Sequence, residues 1–274
     1  MGEKEIMNCA VCGASKASEF LVVNKFTLVK CKHCGLIYSE NFIPDDISYY
    51  DDFYFAKRNR YISRWDEFCS IFDSLLDKIV LFKREGNLLD VGAGVGTLMY
   101  VAAKRGFKVK GVEVSDWAAT FCRETKGLDV VTGKLENLRL GMESFDVVVI
   151  NHVLEHVDNP RLMLSEIRRI LKRDGIIVVG VPNIGSLMAR IKGSKWVSLR
   201  PEEHIWQFTP ATLKRLIKQE GFDIVHFEAK ENHPVGGWGP KDLVKRIINC
   251  VSVVTDRSEA MLVFGCKSSE KKYE

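Results

Sequence analysis

The spacing of apolar residues changes along this chain, and each change marks a part of it. Two short runs, Phe20-Leu-Val-Val and Phe26-Thr-Leu-Val, flank Asn24 and predict short strands around a turn. Between Tyr61 and Phe82 apolar residues recur at helical spacing, through Trp65, Phe68, Phe72, Leu75, Leu76 and Ile79, which predicts one long amphipathic helix. Strand and helix patterns then alternate. Strands are expected at 88–91, 108–114, 129–132, 146–150 and 176–181, with helices at 97–105, 115–125 and 160–171. Asp146-Val-Val-Val-Ile150 is apolar at every position after the first, so it reads as a central strand buried on both faces. After Pro210 come a helix to Glu220, a stop at Gly221, a strand at 222–227, an amphipathic helix at 241–251 and a last strand at 260–266. This alternation predicts an α/β fold built on a doubly wound parallel sheet.

Composition narrows the class. With 274 residues, the chain can form one large domain with a small appendage and needs no disulfide staples. A net charge of +4 is too small a field for a dedicated non-specific nucleic-acid binder. No apolar run approaches the roughly 18 residues of a membrane span, so membrane insertion is not expected. The segment from Met1 to Met7 is charged and lacks the apolar stretch of a secretory signal. Eight Cys in such a chain point to a reducing compartment, and the cytoplasm is expected. Oligomeric state has no signal in the sequence.

Four of the Cys fall in the first 34 residues, as Cys9-Ala-Val-Cys12-Gly13 and Cys31-Lys-His-Cys34-Gly35, with 18 residues between the pairs. Four thiolates on two such hairpins suit a closed tetrahedral Zn²⁺ site, which holds a fold and has no open position for chemistry. Residues 1–45 are therefore expected to form a zinc ribbon. Residues 46–274 form the main domain, with 46–86 as a helical lead-in that carries Pro44's neighbours Tyr49, Tyr50, Phe53, Tyr54 and Phe55. Cys69, Cys122, Cys250 and Cys266 read as core residues.

A glycine loop, Asp90-Val-Gly92-Ala-Gly94-Val-Gly96-Thr97, joins the first main-domain strand to its helix. Such a loop lets a nucleotide-like ligand approach the backbone at the switch point of the sheet. The dinucleotide fingerprint would want Gly or Ala at 97, and here the third Gly arrives one position early. Glu113 ends the next strand, placed to accept hydrogen bonds from both ribose hydroxyls.

These segments, Leu-Leu-Asp90-Val-Gly-Ala-Gly-Val-Gly, Gly-Val-Glu113-Val-Ser and Phe145-Asp-Val-Val-Val-Ile-Asn-His-Val-Leu-Glu-His156-Val, resemble class I S-adenosylmethionine-dependent methyltransferases. Pro182-Asn-Ile-Gly-Ser, Lys195-Trp196 and Pro201-Glu-Glu-His204-Ile-Trp-Gln-Phe208-Thr-Pro are similar to the ubiquinone-methyltransferase-like branch. The ribbon followed by aromatic residues resembles members associated with cell-surface sugar pathways. The resemblance implies a Rossmann-like seven-stranded sheet with its last strand antiparallel, a cytosolic enzyme, and an acceptor site above the carboxyl ends of the strands. It also implies that Gly92, Ala93 and Gly94 line the methionine part of the cofactor, that Glu113 holds the ribose and that Val114 lies against adenine. Asp90 and Asn151 count among the cofactor positions. Many relatives have Asp where this chain has Lys134, and Lys cannot accept a bond from the adenine amine. Either Glu136 substitutes, or the backbone near Leu135 acts alone.

His152-Val-Leu-Glu155-His156 also matches a reversed zinc-protease pattern. That pattern needs a long helix and a third ligand, whereas here it follows a central strand and Pro160 stands four residues beyond His156. The methyltransferase reading makes the same residues the floor of the acceptor site. His152 or His156 is the expected base, since imidazole takes protons near neutral pH. His156 has a second reading in which it bonds the backbone and shapes the loop. His204, before Trp206 and Phe208, is expected to touch the acceptor. The basic clusters read as solvated helix faces, although a sugar-nucleotide phosphate would find Arg190, Lys192, Lys195 or Arg200. The expected activity is methyl transfer to an oxygen of a small molecule, a sugar or related metabolite. The rivals are an RNA methyltransferase and a cofactor-binding protein without catalysis.

Overall fold

The computed structural model describes residues 8–40, 54–55, 60–230, 252 and 257–269. Tyr49, Tyr50, Phe53, Cys250 and the helix expected at 241–251 lie outside them. Near the start, β1 (Ala17–Val23) and β2 (Phe26–Cys31) form a hairpin, and β3 (Ile37–Ser39) adds antiparallel to β2. Asn24 takes the turn with φ 54°, a left-handed conformation that Asn tolerates better than most residues. Helix α1 (Trp65–Ile79) follows and is shorter at both ends than the apolar pattern extends.

The main sheet is built by alternation, as the pattern predicts. It runs β4 (Asn87–Val91), α2 (Thr97–Lys104), β5 (Lys108–Glu113), α3 (Asp116–Lys126), β6 (Val130–Thr132), β7 (Phe145–Asn151), α4 (Pro160–Ile170) and β8 (Leu171–Pro182). Then come α5 (Leu187–Lys192), β9 (Trp206–Gln207), α6 (Pro210–Gln219), β10 (Phe222–Lys230) and β11 (Ala260–Lys267). Seven strands lie in the order β10-β11-β8-β7-β4-β5-β6. The last strand, β11, is antiparallel to both its neighbours. The chain runs outward through β5 and β6, then restarts beside β4 with β7 and continues the other way. The switch point, where α/β sheets bind ligands, is thus at the carboxyl ends of β4 and β7.

Side chains explain these elements. Along β7, Val148 and Ile150 pack with Leu164, Ile167 and Leu216 on one face. Val147 and Val149 pack with Leu75, Leu76 and Leu98 on the other. A strand covered twice has no place for a polar alternate, which is why its sequence lacks one. Ser115 caps α3 by accepting from the Ala118 amide at 3.2 Å, and Asn159 caps α4 through the Leu162 amide at 3.1 Å. Thr209 and Thr212 form a reciprocal capping box on α6.

The ribbon is joined to the main domain at several points. Its sheet has the order β1-β2-β3-β9, so its fourth strand comes from residues 206–207. Tyr38 pairs with Trp206, and Ile37 with Gln207. Cys9, Val11, Leu36 and Tyr38 share one apolar core with Ile205, Trp206 and Phe208. Arg161 at the start of α4 donates to the Ala10 and Val11 carbonyls at 2.7 Å each.

Asn183, buried just past β8, donates to the Ser258 carbonyl at 3.0 Å and accepts from the Gly185 amide at 2.9 Å. It thereby ties the end of β8 to the approach of β11. Asn183→Ala should lower the unfolding free energy by about 1–3 kcal/mol, because two buried backbone groups lose their partner. A urea titration reads this as a lower midpoint at constant slope. An unchanged midpoint would show that this joint carries no stability.

Candidate active site

The glycine loop leaves β4 and turns back over the sheet. Gly92 has φ 74°, and a Cβ there would sit 2.4 Å from Val153 Cγ2, in the loop after β7. Both the handedness of the backbone and the close approach therefore require glycine. The amides of Gly92 and Ala93 donate to the Val112 carbonyl at 2.8 and 3.1 Å, which fixes the loop against β5.

Glu113 ends β5 and is buried. Its Oε2 accepts from the Gly94 amide at 2.7 Å and its Oε1 from the Ser115 amide at 2.9 Å. A carboxylate has about four acceptor positions, so these amides leave room for a ligand donor. Burial raises the pKa of Glu113, and the amides of Ser115 and Gly94 oppose that rise. Asp90, at the foot of the glycine loop, is also buried. Burial, with Glu113 as a charged neighbour, pushes it up to about 8.

Both carboxylates face a cavity of about 850 Å³ that opens over the switch point. Gly92, Ala93, Gly94, Val114, Leu135, Glu136 and Asn151 all line it. Leu135 and Glu136 lie in a short 3-10 turn, Leu135–Asn137. Lys134, at the rim, donates to Asp158 at 2.7 Å, so the basic residue that replaces an expected acid arrives with its own counterion. Tyr61, Phe68, Ile71, Phe72 and Val197 supply aromatic and aliphatic parts of its wall. Arg200 also lines the cavity, 3.4 Å from the buried carboxylate of Glu203.

His152, His156 and His204 line this same cavity, in three different settings. His152 follows β7 with φ 57°, uncommon for a residue with a side chain, and its amide donates to the Gly180 carbonyl at 2.8 Å. Its side chain is 41% exposed, and Nδ1 donates to Glu155 Oε1 at 3.1 Å. Glu155 is buried. Burial alone would raise it, but the bond from His152 and the nearby imidazoles hold it down at about 2. His156 Nδ1 donates to the Glu203 carbonyl at 3.0 Å, and His204 Nδ1 to the Ser198 carbonyl at 2.9 Å. Burial lowers His156, and burial with His156 as neighbour lowers His204 to about 3, so both rings are neutral at ordinary pH. Their rings meet edge to face, 4.6 Å between centroids. A carboxylate oxygen of Glu155 and one ring nitrogen each of His156 and His204 lie within 4.8 Å of one another, a set able to share a proton or hold a cation. The stretch from His152 to His156 is turn and not helix, which removes the zinc-protease reading.

The sequence pattern points to the glycine loop, Glu113 and the histidines. It misses Tyr61, the apolar wall of α1 formed by Phe68, Ile71 and Phe72, and the Lys134–Asp158 pair. Glu155 stands inside the histidine motif, where its spacing of three from His152 is the only trace of the bond between them.

The four ribbon thiols also converge. Cys9 and Cys34 sulfurs lie 3.4 Å apart, Cys12 and Cys31 sulfurs 3.5 Å apart, and all four lie within 4.8 Å. Zinc bonds of about 2.3 Å at tetrahedral angles put sulfurs about 3.8 Å apart, close to this spacing. Backbone amides point at the sulfurs: those of Val11 and Cys12 at Cys9, His33 and Cys34 at Cys31, and Leu36 at Cys34. Such donors suit thiolates.

A glycine loop at the switch point, a buried carboxylate ending the next strand and a second one beneath the loop define a nucleotide-binding cleft suited to a cationic ligand with vicinal hydroxyls. S-adenosylmethionine has both features. A methyltransferase-domain family model matches residues 57–227, and the chain belongs to that family. It is an S-adenosylmethionine-dependent methyltransferase. It is 32% identical over 143 residues to an uncharacterized protein of Methanocaldococcus jannaschii, covering 52% of this chain and 67% of that one. It is 32% identical over 167 residues to a ubiquinone biosynthesis O-methyltransferase of Cereibacter sphaeroides, covering 57% and 68%. Among solved structures, an S-adenosylmethionine-dependent methyltransferase of Archaeoglobus fulgidus shares the fold with a TM-score of 0.55 and 23% identity, over 73% of this chain and 94% of that one. A Haloferax volcanii putative methyltransferase, solved in complex with the Trm112 methyltransferase activator, aligns with a TM-score of 0.60 and 16% identity, over 82% and 99%. Among the described residues, no helix is long and apolar enough to cross a membrane.

The raised pKa of Asp90 makes both stability and binding depend on pH. Between the unfolded value of about 3.9 and the folded value of about 8, the folded chain holds a proton that the unfolded chain releases. The stabilisation from this group is therefore full below pH 4 and is lost as pH rises towards 8. A cationic ligand favours the ionised form. Calorimetric affinity for S-adenosylmethionine should thus rise from pH 6 to 8, by up to about tenfold per unit, and then level. Asp90→Asn should flatten the profile. Identical profiles in the two proteins would mean that Asp90 does not titrate in this range.

Proposed function

We propose that this methyltransferase acts on a hydroxyl of a small ring-shaped acceptor, a sugar or related metabolite, with His152 as base and a structural zinc in the ribbon. The observation that carries the proposal is the His152–Glu155 pair on the wall of the cavity that also contains Glu113. An ionised carboxylate accepts only, so the His152 Nδ1 proton is committed to Glu155 and Nε2 is left as the acceptor. The carboxylate orients the ring and stabilises the imidazolium that forms when the acceptor proton arrives, the logic of nucleophile–base–orienter arrangements.

When bound, S-adenosylmethionine supplies a methyl group on a sulfonium, which is transferred by in-line displacement. Asp90, with Gly92, Ala93 and Gly94, would hold the methionine end. Glu113 would receive the ribose hydroxyls. Val114, with Leu135 and Glu136, would hold the adenine, and Asn151 would bound the reacting end. His156 and His204 are neutral and anchored to carbonyls, so they shape the acceptor wall and face the acceptor without carrying charge. Among the described residues, the Lys and Arg that line the cavity, Lys134 and Arg200, each sit beside an acid. That favours a neutral acceptor over RNA or a diphosphate. Thiols kept reduced in a cytoplasm suit the ribbon.

A second acceptor class, a hydroxylated aromatic ring, is supported by Tyr61, Phe68 and Phe72 on the wall and by the name of the Cereibacter relative. Offering hydroxylated sugars and catechols with methyl-labelled cofactor separates the two. Once an acceptor is found, His152→Ala should lower kcat by about 10²–10⁴-fold with cofactor affinity unchanged. Full turnover in that variant would leave proton removal to water.

Zinc has its own test. Elemental analysis should find about one zinc per chain, lost in Cys31→Ser. Iron, or no metal in unstripped protein, would reject the assignment.

A further inference from the structure

Residues 204–208 lie between two parts of the molecule that the sequence keeps far apart. On one side, β9 pairs with β3 of the ribbon, and the Ser39 amide donates to the Ile205 carbonyl at 3.0 Å. On the other, the Trp206 amide donates to the Glu155 carbonyl at 3.1 Å and its indole Nε1 to the Val157 carbonyl at 2.8 Å. Those two carbonyls belong to the loop that presents His152, Glu155 and His156. The Trp206 ring is buried and meets the ring of Tyr38, the central residue of β3, at a 44° tilt with centroids 5.7 Å apart. A second tie runs from Arg161, just beyond that loop, to the Ala10 and Val11 carbonyls inside the first Cys hairpin. The ribbon side therefore reaches the second half of the histidine loop through Trp206 and the helix start just beyond it through Arg161, whereas the His152 amide is held by the Gly180 carbonyl. In contrast, the carboxylate of Glu113 is held by the amides of Gly94 and Ser115, and Gly92 and Ala93 bond Val112, all within the main domain.

We propose that the ribbon is the positioning element of the acceptor wall, with Trp206 as the residue that transmits its position to the His152–His156 loop. Trp206 touches no reacting atom in this scheme. It acts by fixing two carbonyls of the loop, so its effect falls on the histidines and not on the cofactor. The proposal rests on the acceptor-side reading of those histidines given above. It assigns the metal a specific consequence: by holding the two Cys hairpins together, it keeps β3 and the first hairpin in place against β9 and Arg161. Misplacing a catalytic group by about 1 Å can cost about 10²-fold in rate, so such a clamp has large leverage on turnover.

Hydrogen exchange on the full chain tests this without an acceptor. In Trp206→Phe the ring stays against Tyr38 but the indole donor to Val157 is gone. Amides at 152–157 should then exchange about tenfold faster, while the ribbon at 28–39 and the segments at 88–97 and 111–116 keep their protection. The imidazole nitrogen resonances of His152 and His156 should shift, and the affinity for S-adenosylhomocysteine should stay within about twofold of wild type. Removing the ribbon metal with a chelator should deprotect 28–39, 203–207 and 152–157 together, again with cofactor affinity retained. Three results overturn the proposal: a Trp206→Phe protein whose 152–157 segment exchanges as in wild type, metal removal that deprotects the ribbon alone, or loss of cofactor binding in step with the loop. The Trp206→Phe result does not depend on which metal, if any, the ribbon holds. A failed zinc assignment and a failed positioning role are therefore distinguishable. Likewise, a clamp that passes this test beside a fully active His152→Ala would reject the base and keep the positioning.

Discussion

The loops that leave β4 and β7 pass within van der Waals reach of each other, and the rest of the site depends on that closeness. Gly92 has no Cβ because Val153 occupies the space where one would be. If the loops were spread by even one methyl group, the glycine cradle and the histidine loop would no longer border one cavity. A packed interior transmits such a displacement and does not absorb it. A second contact of the same kind lies one strand over. A Cβ on Gly180 would fall 2.2 Å from Asn151 Oδ1, so the glycine gives the Asn151 side chain its seat at the end of β7. Two missing side chains, one just past β4 and one on β8, thus flank β7 and set where the ligand-facing residues can stand.

The apolar pattern shows the main sheet because burial on two faces leaves strands such as β7 no polar alternate, and because the helices between them repeat at a regular spacing. It does not show β3 or β9. Strands of three and two residues are too short to express a period, and β9 exists because β3, about 170 positions away, is there to pair with it. Strand β8 starts at Leu171, five residues before the apolar run, because Lys172 and Arg173 reach solvent at the sheet's lower edge and carry no hydrophobic signal. A cysteine count separates the ribbon from the main domain in sequence, yet the fold merges their cores, since Tyr38 and Trp206 bury each other.

The site divides along similar lines. Glu113 and the glycine loop are legible because a strand end and a tight turn have fixed positions in this fold. The partner of a charged residue is not legible in this way. Lys134 could be read as a departure from an acidic pattern, but only the geometry pairs it with Asp158. His152, His156 and His204 look alike in sequence. They are distinguished by what their Nδ1 atoms meet: a carboxylate for His152, and backbone carbonyls for the other two.

These electrostatic differences run along the length of the cavity. At one end two carboxylates are buried together, and the charge of Glu113 adds to burial in raising the cost of ionising Asp90, so the protein stores a preference for positive charge there. At the other end burial keeps His156 and His204 neutral, and the buried carboxylates there, Glu155 and Glu203, are engaged by His152 and Arg200. A cationic cofactor relieves the first end and adds nothing unfavourable to the second, where the charges are matched within the protein. A neutral hydroxyl is then the acceptor group that this second end receives at the least desolvation cost. An anionic acceptor would have to take Lys134 or Arg200 from the acids that hold them. In the proposed reaction, methyl transfer from a sulfonium at the acidic end to an oxygen at the neutral one would follow the same gradient, because it would remove positive charge from the end that binds it and leave a proton for the imidazole that Glu155 supports.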